Sequence, residues 1–170
     1  GHTLVLGTNQ THATNQNLIK NCPYDAVKDF APVAGIADIA HVLVTRKDLG
    51  VADAAALVAL AKQKAGALNY GSTGNGSASH LAGELFKVKA GISAQHVPFR
   101  GAAPMTQELI AGRIDYAFAT LPSVVGQIAS GDLHALAVAS PRRAPRLETI
   151  PTLNEAGIAG VEADAWFTLF

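Results

Sequence analysis

A short run of small and hydroxyl-bearing residues is the part of this sequence whose chemistry is easiest to interpret. It extends from Gly71 to Ser79 and contains three glycines, three serines, a threonine and an asparagine. The apolar triplet Leu68–Tyr70 precedes it, and apolar residues at helical spacing follow from Leu81 to Phe86. A strand–loop–helix of this kind leaves the first N–H groups of the helix without internal partners, so it can bind an anion. An ordinary βα turn with Ser77 or Ser79 as helix N-cap explains the same residues.

The loop does not match the common nucleotide-binding motifs. No Gly-Lys-Ser or Gly-Lys-Thr closes it, so it is not a Walker A loop. Gly71, Gly74 and Gly76 also miss the G-x-G-x-x-G spacing of a dinucleotide fingerprint. No cofactor motif is recognised elsewhere, so none is predicted.

Catalysis is not indicated by the residues around the loop. Ser72, Ser77 and Ser79 are possible nucleophiles, but the sequence places no base near them and contains no G-x-S-x-G elbow. Paired carboxylates are missing as well, because the nearby acidic residues have simpler explanations on element surfaces or at helix ends: Glu84, Glu108 and Asp115. An anion site without catalytic groups favours binding over turnover.

The six histidines do not have the spacing of a metal site. His41 lies in an apolar strand and His96 is in a similar position, so both are interpreted as structural. His12 and His80 each lie at or just after a candidate ligand loop, and they are candidates to contact a ligand.

Composition and charge exclude several classes of protein. Of 170 residues, 49% are hydrophobic and 15% are charged, which is typical of a compact globular chain. Lysine plus arginine and aspartate plus glutamate each number 13, so nothing indicates nucleic-acid binding. The densest basic run, Arg142–Arg146, is interpreted as a solvated loop.

Cys22 is the single cysteine, so no internal disulfide can form. No apolar run approaches the roughly 18 residues of a membrane span. No signal peptide is recognised, and the chain starts within a strand-like segment, which predicts a partial chain.

Strands and helices alternate along most of the chain, which predicts an α/β fold with a parallel-rich sheet. The expected strands, of which the first is predicted to be buried, are 3–6, 33–37, 41–45, 68–70, 94–99, 114–119, 136–139 and the extended 161–170. The expected helices are 13–20, 53–65, 77–89, 105–111, 124–130 and a short one opening at 152–155.

Three strand exits carry small or polar residues: 71–79, 100–104 and 120–123. Ligands of α/β proteins bind beyond the carboxyl ends of strands, and in a parallel sheet these ends meet at one edge. The sequence therefore predicts that the three exits line a single site.

The motifs taken together resemble a known family. The segment from Tyr70 to Phe86 resembles the ligand loop and helix of the Bug family, the extracytoplasmic solute receptors of tripartite tricarboxylate transporters. The resemblance covers essentially the whole chain. It continues in 6–12, 23–33, 96–104, where the family has a V-P-Y-K-G-x-x-P segment, and in 112–115, 133–140, 150–157 and 166–170.

The resemblance implies a fold of the type II periplasmic binding protein kind, with two lobes that close on a ligand. Residues 45–163 would form the complete second α/β lobe, and residues 1–44 and 164–170 would be parts of the first lobe. Val42–Val44 and Ala165–Phe170 would be the two strands that cross the hinge. The remainder of the first lobe would lie before and after this chain.

The resemblance also implies the function and the site. The protein would be a periplasmic receptor without enzyme activity that captures a small carboxylate, namely a dicarboxylate, tricarboxylate, amino acid or aromatic acid. It would deliver the ligand to membrane components of the transporter. Carried over residue by residue, the ligand-binding positions would be Thr8, Asn9, Ser72, Asn75, Gly76, Ser77, Ala78, Ser79, Gly101, Ala102 and Thr120. Arg100, where the family often has lysine, is interpreted as a solvated rim charge.

Two alternatives remain open at this level. The first is an α/β enzyme that uses the loop for a phosphorylated or carboxylated substrate, and a base near Ser72 would favour it. The second is a partial chain that binds nothing well and self-associates through uncovered first-lobe strands.

Overall fold

The computed structural model describes residues 3–170 of the chain. Its strands are β1 Leu6–Thr8, β2 Ala34–Ile39, β3 His41–Arg46, β4 Asn69–Ser72, β5 Gln95–Pro98, β6 Tyr116–Thr120, β7 Leu133–Val138 and β8 Ala165–Leu169. Its α-helices are α1 Asn15–Leu18, α2 Ala54–Gln63, α3 Ala78–Ala90, α4 Ala102–Ile110 and α5 Leu121–Ser130. A π-helical turn, Gln10–Thr14, leads into α1, and a 3₁₀ turn, Lys47–Leu49, follows β3.

Five of the strands form one mixed sheet in the order β5-β4-β6-β3-β7. β4 pairs in parallel with β5 and with β6, whereas β3 is antiparallel to both β6 and β7. The three predicted site loops therefore leave neighbouring parallel strands at the same edge of the sheet. This confirms the predicted parallel-rich α/β architecture.

Helices cover both faces of this sheet, because each face is apolar. On one face, α2 and α3 bury Leu57 and Phe86 against Phe118. On the other face, α4 and α5 bury Met105 and Val124. Two of the three interior strands, β3 and β6, are buried except at their last residue, which explains their nearly continuous apolar sequence.

The helix ends follow the signals in the sequence. Asp53 caps α2 by accepting the N–H of Ala56 at 2.7 Å, and Ser77 caps α3. Gly91 and Gly131 end α3 and α5 in the left-handed region, where a residue with a Cβ would be strained.

The remaining strands form a separate antiparallel sheet in the order β1-β8-β2. The prediction of a buried strand over residues 3–6 is wrong, because the strand starts at Leu6, and Leu4 and Leu6 are 66% and 58% exposed. Ile36 of β2 is 58% exposed too. An apolar strand is buried only if another layer covers it, and among residues 3–170 no element covers these side chains.

Four predicted helices differ from the structure. The helix expected over residues 13–20 is a π-helical turn, Gln10–Thr14, followed by the four-residue α1, Asn15–Leu18. α4 begins at Ala102 rather than at residue 105, and α5 begins at Leu121 rather than at residue 124. Each has a proline in its first turn, where a missing N–H costs nothing. The expected short helix from Thr152 is a turn, in which Thr152 and Glu155 bond each other's backbone N–H.

The segments assigned to the hinge lie in different sheets. Val42–Val44 belong to β3, in the interior of the five-stranded sheet, whereas β8 lies at the centre of the three-stranded sheet. The turn between β2 and β3 at Ala40 is where the chain passes from one sheet to the other. The division into lobes at residues 44 and 164 stays a proposal, and the sheet order favours a crossing at Ala40 instead.

Candidate functional site

The loop between β4 and α3 is held by hydrogen bonds within itself. The Ser77 hydroxyl donates to the Gly74 carbonyl at 2.7 Å and accepts the N–H of His80 at 3.3 Å. The Ser79 hydroxyl accepts the N–H of Thr73 at 2.9 Å and lies 2.9 Å from the Ser77 hydroxyl. These bonds wrap the loop around the first turn of α3.

The three serine side chains of the loop are buried. Ser72 and Ser79 have no exposed surface, and Ser77 is 4% exposed. Their hydroxyls are already engaged with the loop, so they shape it and are not free donors. Ser72, Gly76, Ser77 and Ser79 all lie in this loop, and all four are buried.

Three backbone N–H groups of this loop make no hydrogen bond within the part of the chain that the structure describes. They belong to Asn75, Ala78 and Ser79. Ala78 and Ser79 are the first two residues of α3, where the helix dipole places partial positive charge. This geometry suits a carboxylate, which accepts several hydrogen bonds at once.

Residues from the N-terminal part of the chain lie directly against the loop. The side-chain amide of Gln10 donates to the Asn75 carbonyl at 3.2 Å. A Cβ on Gly76 would come within 2.5 Å of the Leu18 Cδ1 atom, and the φ angle of Gly76 is +77°. Position 76 therefore requires glycine for its backbone conformation, whereas the exposed Leu18 side chain has room to shift away from a Cβ.

A cavity of about 190 Å³ lies beside the start of α3. Its lining residues are Asn9, Ala78, Leu81, Ala82, Leu85, Glu162, Ala163 and Asp164. The Asn9 amide donates to the Asp164 carbonyl at 3.3 Å, which joins the β1 exit to the segment before β8. The neighbouring Thr8 bonds Thr11 within its own turn.

The other two strand exits share the sheet edge without joining the loop by a hydrogen bond among residues 3–170. Gly101 is the N-cap of α4 with φ of +109°, and Ala102 is the first residue of that helix. Thr120 is the N-cap of α5, and its hydroxyl donates to the Ser123 hydroxyl at 3.1 Å. Arg100 is exposed, as expected of a rim charge.

Two histidines contact the loop, and only one of them was a candidate. The Nδ1 atom of His80 accepts the N–H of Gly76 at 3.1 Å. The Nε2 atom of His96, which was interpreted from the sequence as structural, lies 2.6 Å from the Ser72 hydroxyl at the start of the loop. Pairing of β4 with β5 places residue 98 opposite residue 72 and so carries His96 to the loop, a contact that sequence spacing does not reveal.

His12 and His41 lie elsewhere. His12 stacks on the Phe170 ring at 3.9 Å and bonds the Thr11 hydroxyl, so it belongs to an aromatic cluster of the three-stranded sheet. His41 is 3% exposed and bonds the Ala163 carbonyl at 2.7 Å through Nδ1, which confirms its structural role. Burial lowers the pKa of His41 to about 4, although the bond to Ala163 opposes the shift.

The carboxylates near the loop have structural partners. Glu84 accepts the hydroxyl of Tyr70 and pairs with Lys87 at 2.9 Å. Burial opposes ionisation of Glu84, but these two hydrogen bonds outweigh it and lower its pKa. Asp115 accepts the N–H of Asn69 at 2.8 Å and pairs with Arg46 at 3.1 Å.

Asp164 is the exception. Its Oδ2 atom accepts from Ser140 at 3.3 Å, whereas its buried Oδ1 atom has no partner among residues 3–170. Burial first, and then the charges of Asp38 and Glu162, raise its pKa, while the bond from Ser140 opposes them.

A serine beside a histidine raises the question of catalysis, since the sequence analysis expected no base near Ser72. The Ser72 hydroxyl has no exposed surface and also bonds the backbone of Gly74. Among residues 3–170, no carboxylate orients the His96 ring, and no cluster of three or more histidine, cysteine or acidic side chains could hold a metal. The pair therefore lacks the access and the orienting group that nucleophilic catalysis requires.

An α/β layer that presents helix N-termini and small loops at one edge of parallel strands is an architecture in which small ligands bind. The whole chain, residues 1–170, matches the model of the tripartite tricarboxylate transporter family receptors, TctC. The chain belongs to this family.

Individual relatives agree with this assignment. BugT of Bordetella pertussis is 31% identical over 170 residues, which are 99% of this chain and 52% of BugT. The chain thus spans about half the length of the curated relatives it matches.

Among solved structures, R. palustris Rpa4515 with adipate is 38% identical, with a TM-score of 0.94 over 99% of this chain and 56% of that one. MatC from Rhodopseudomonas palustris with bound malate is 30% identical, with a TM-score of 0.90 over 99% and 57%. The periplasmic binding protein BugD is 28% identical, with a TM-score of 0.91 over 98% and 55%. In residues 3–170 of the present chain, no helix has the length and apolar character needed to cross a membrane.

Proposed function

We propose that this chain carries the ligand-binding part of a periplasmic receptor that captures a small carboxylate for a tripartite tricarboxylate transporter. The observation that carries the proposal is the set of unpaired N–H groups of Asn75, Ala78 and Ser79. Two of these donors, those of Ala78 and Ser79, begin α3, and unpaired N–H groups at a helix N-terminus suit a carboxylate in charge and in hydrogen bonding.

The ligand lies between the α3 loop and the β1 exit in this proposal. The N–H groups of α3 hold one carboxylate, and Asn9 reaches it from the opposite side of the 190 Å³ cavity. The other proposed contacts are Thr8, Ser72, Gly76, Ser77, Gly101, Ala102 and Thr120, of which the serines act by shaping the loop. The adipate and malate bound to Rpa4515 and MatC support small dicarboxylates as the first ligands to test.

The experiment is calorimetric titration of the protein with malate, adipate and citrate, each matched by its uncharged amide. Binding of at least one acid without binding of its amide supports the proposal. Absence of heat with every acid, from a protein shown to be folded by circular dichroism, contradicts it.

A second candidate role is self-association through the three-stranded sheet. Leu4, Leu6 and Ile36 are more than half exposed, and uncovered apolar strands tend to pair between molecules. Sedimentation velocity separates the possibilities, because the receptor proposal expects a monomer at micromolar concentration and self-association predicts a dimer or larger species.

A further inference from the structure

Two stacked histidine rings connect the ends of the α3 loop to each other. His80 and His96 lie with their ring centroids 4.1 Å apart and 20° from parallel. His80 bonds Gly76 near the end of the loop, and His96 bonds Ser72 at its start. The Tyr70 ring continues the stack 4.9 Å beyond His96. The stacked rings of Tyr70, His96 and His80 thus connect the two ends of the loop.

The bond between Gly76 and His80 specifies a protonation state. A backbone N–H donates only to an unprotonated nitrogen, so Nδ1 of His80 must carry a lone pair while this bond exists. Gly76 is buried, so its N–H has no water to replace the ring if Nδ1 takes a proton. The peptide groups of Gly76 then lose their fixed orientation, and the nearby N–H groups of Asn75 and Ala78 lose their alignment with them.

Glu84 and Lys87 lie on the same helix as His80, and their charges act on the His96 ring. Tyr70 stacks on His96 and on Tyr116. Burial, followed by the charge of His80, lowers the pKa of His96, so a second positive ring in this stack is disfavoured. Asp164 lies on the wall of the cavity, and it is present in all the variants described below.

We propose that His80 and His96 are positioning residues of the carboxylate site, which hold Gly76 and Ser72 in the ligand-binding geometry only while Nδ1 of His80 is unprotonated. The inference rests on the proposed function for its effect on affinity. Its effect on the loop itself is independent of any ligand.

Isosteric variants test the proposal. In His80→Asn the Oδ1 atom takes the place of Nδ1 and can accept from Gly76 but cannot be protonated at this pH, whereas His80→Leu removes the acceptor. In the same way, His96→Gln keeps a polar atom at the position of Nε2 and His96→Leu does not. At about pH 7.5 each leucine variant should bind malate or adipate roughly tenfold more weakly, and each amide variant should stay within about twofold of the wild type.

Hydrogen exchange of the Gly76 amide reports directly on the bond from Gly76 to His80 and does not depend on ligand binding. In an experiment that covers the range from about pH 7.5 to about pH 5, protection of this amide in the wild type should fall, because the bond from Gly76 is lost when Nδ1 of His80 is protonated. In His80→Asn, protection should stay constant over the same range after correction for intrinsic exchange.

The outcomes separate the two proposals. If no carboxylate binds to the wild type but Gly76 protection behaves as described, the proposed function fails and the positioning role stands. If the leucine and amide variants bind equally, or if Gly76 protection in the wild type does not depend on pH, the positioning role is wrong.

Discussion

Acid should destabilise this protein through His41 more than through any exposed histidine. His41 is the first residue of β3, is 3% exposed, and bonds the Ala163 carbonyl at 2.7 Å. Burial disfavours its charged form and lowers its pKa from 6.5 to about 4. The folded protein therefore keeps His41 neutral over a range of pH in which the unfolded chain has already bound a proton.

The sign and the size follow from linkage. Because folding lowers the pKa of His41, its contribution to the free energy of unfolding is complete above pH 6.5. That contribution is lost progressively as pH falls toward about 4. Between about pH 7 and pH 4.5 the free energy of unfolding should fall by about 2 kcal/mol on account of this one residue. That is a large share of the roughly 5–15 kcal/mol that stabilises an ordinary domain.

The assay is urea unfolding of the wild type and of His41→Asn at both pH values. Asparagine can donate its Nδ2–H to the Ala163 carbonyl and has no proton to gain, while every other titrating group is common to both proteins. The wild type should lose about 2 kcal/mol more than the variant on acidification. An equal loss in the two proteins would refute the reasoning.

Three further predictions concern the α3 loop and its surroundings. Gly83→Ala should destabilise the fold by about 1–2 kcal/mol in urea unfolding, because the new Cβ would lie 2.8 Å from Cδ2 of the buried Tyr70 ring. Asp164→Asn should tighten carboxylate binding several-fold in calorimetry, because it removes a negative charge from the cavity wall. Ser77→Ala combined with Ser79→Ala should weaken carboxylate binding by roughly tenfold through loss of the loop bonds. Unchanged unfolding or affinity in any of these variants would contradict the corresponding contact.

Much of the five-stranded sheet could be predicted from the sequence, because its signals are local. The apolar strand, glycine-rich loop and capped helix from Leu68 to Gly91 have the predicted order, and Ser77 is the N-cap. The convergence of three strand exits followed from the alternation of strands and helices, since parallel strands end at the same edge.

The contacts of the loop could not be predicted in the same way, because they depend on register between strands distant in the chain. His96 reaches Ser72 only because β5 pairs with β4 in one particular register. The burial of the serine side chains and the bonds of their hydroxyls within the loop could not be predicted from the sequence either. Neither register nor burial is encoded in the spacing of the residues themselves.

The exposed first strand has a related explanation. The residues of Leu4–Leu6 are apolar enough to be buried, and burial was predicted on that basis. A strand is buried by what packs on it, however, and residues 3–170 do not supply that layer. An apolar pattern therefore predicts a strand more safely than it predicts a covered one.

The central claim is that the N–H groups at the start of α3 hold the carboxylate, and Ala78→Pro tests it most directly. Proline is well tolerated as the first residue of a helix, and Ser77 before it already has an extended backbone, so the variant removes one donor with little effect on the fold. Ala55→Pro is the matched control, since it lies in the first turn of α2 at the opposite edge of the sheet. By calorimetry with the best-binding carboxylate, Ala78→Pro should lose roughly tenfold in affinity or more and Ala55→Pro should lose none. Equal affinity of the wild type and a correctly folded Ala78→Pro would contradict the account.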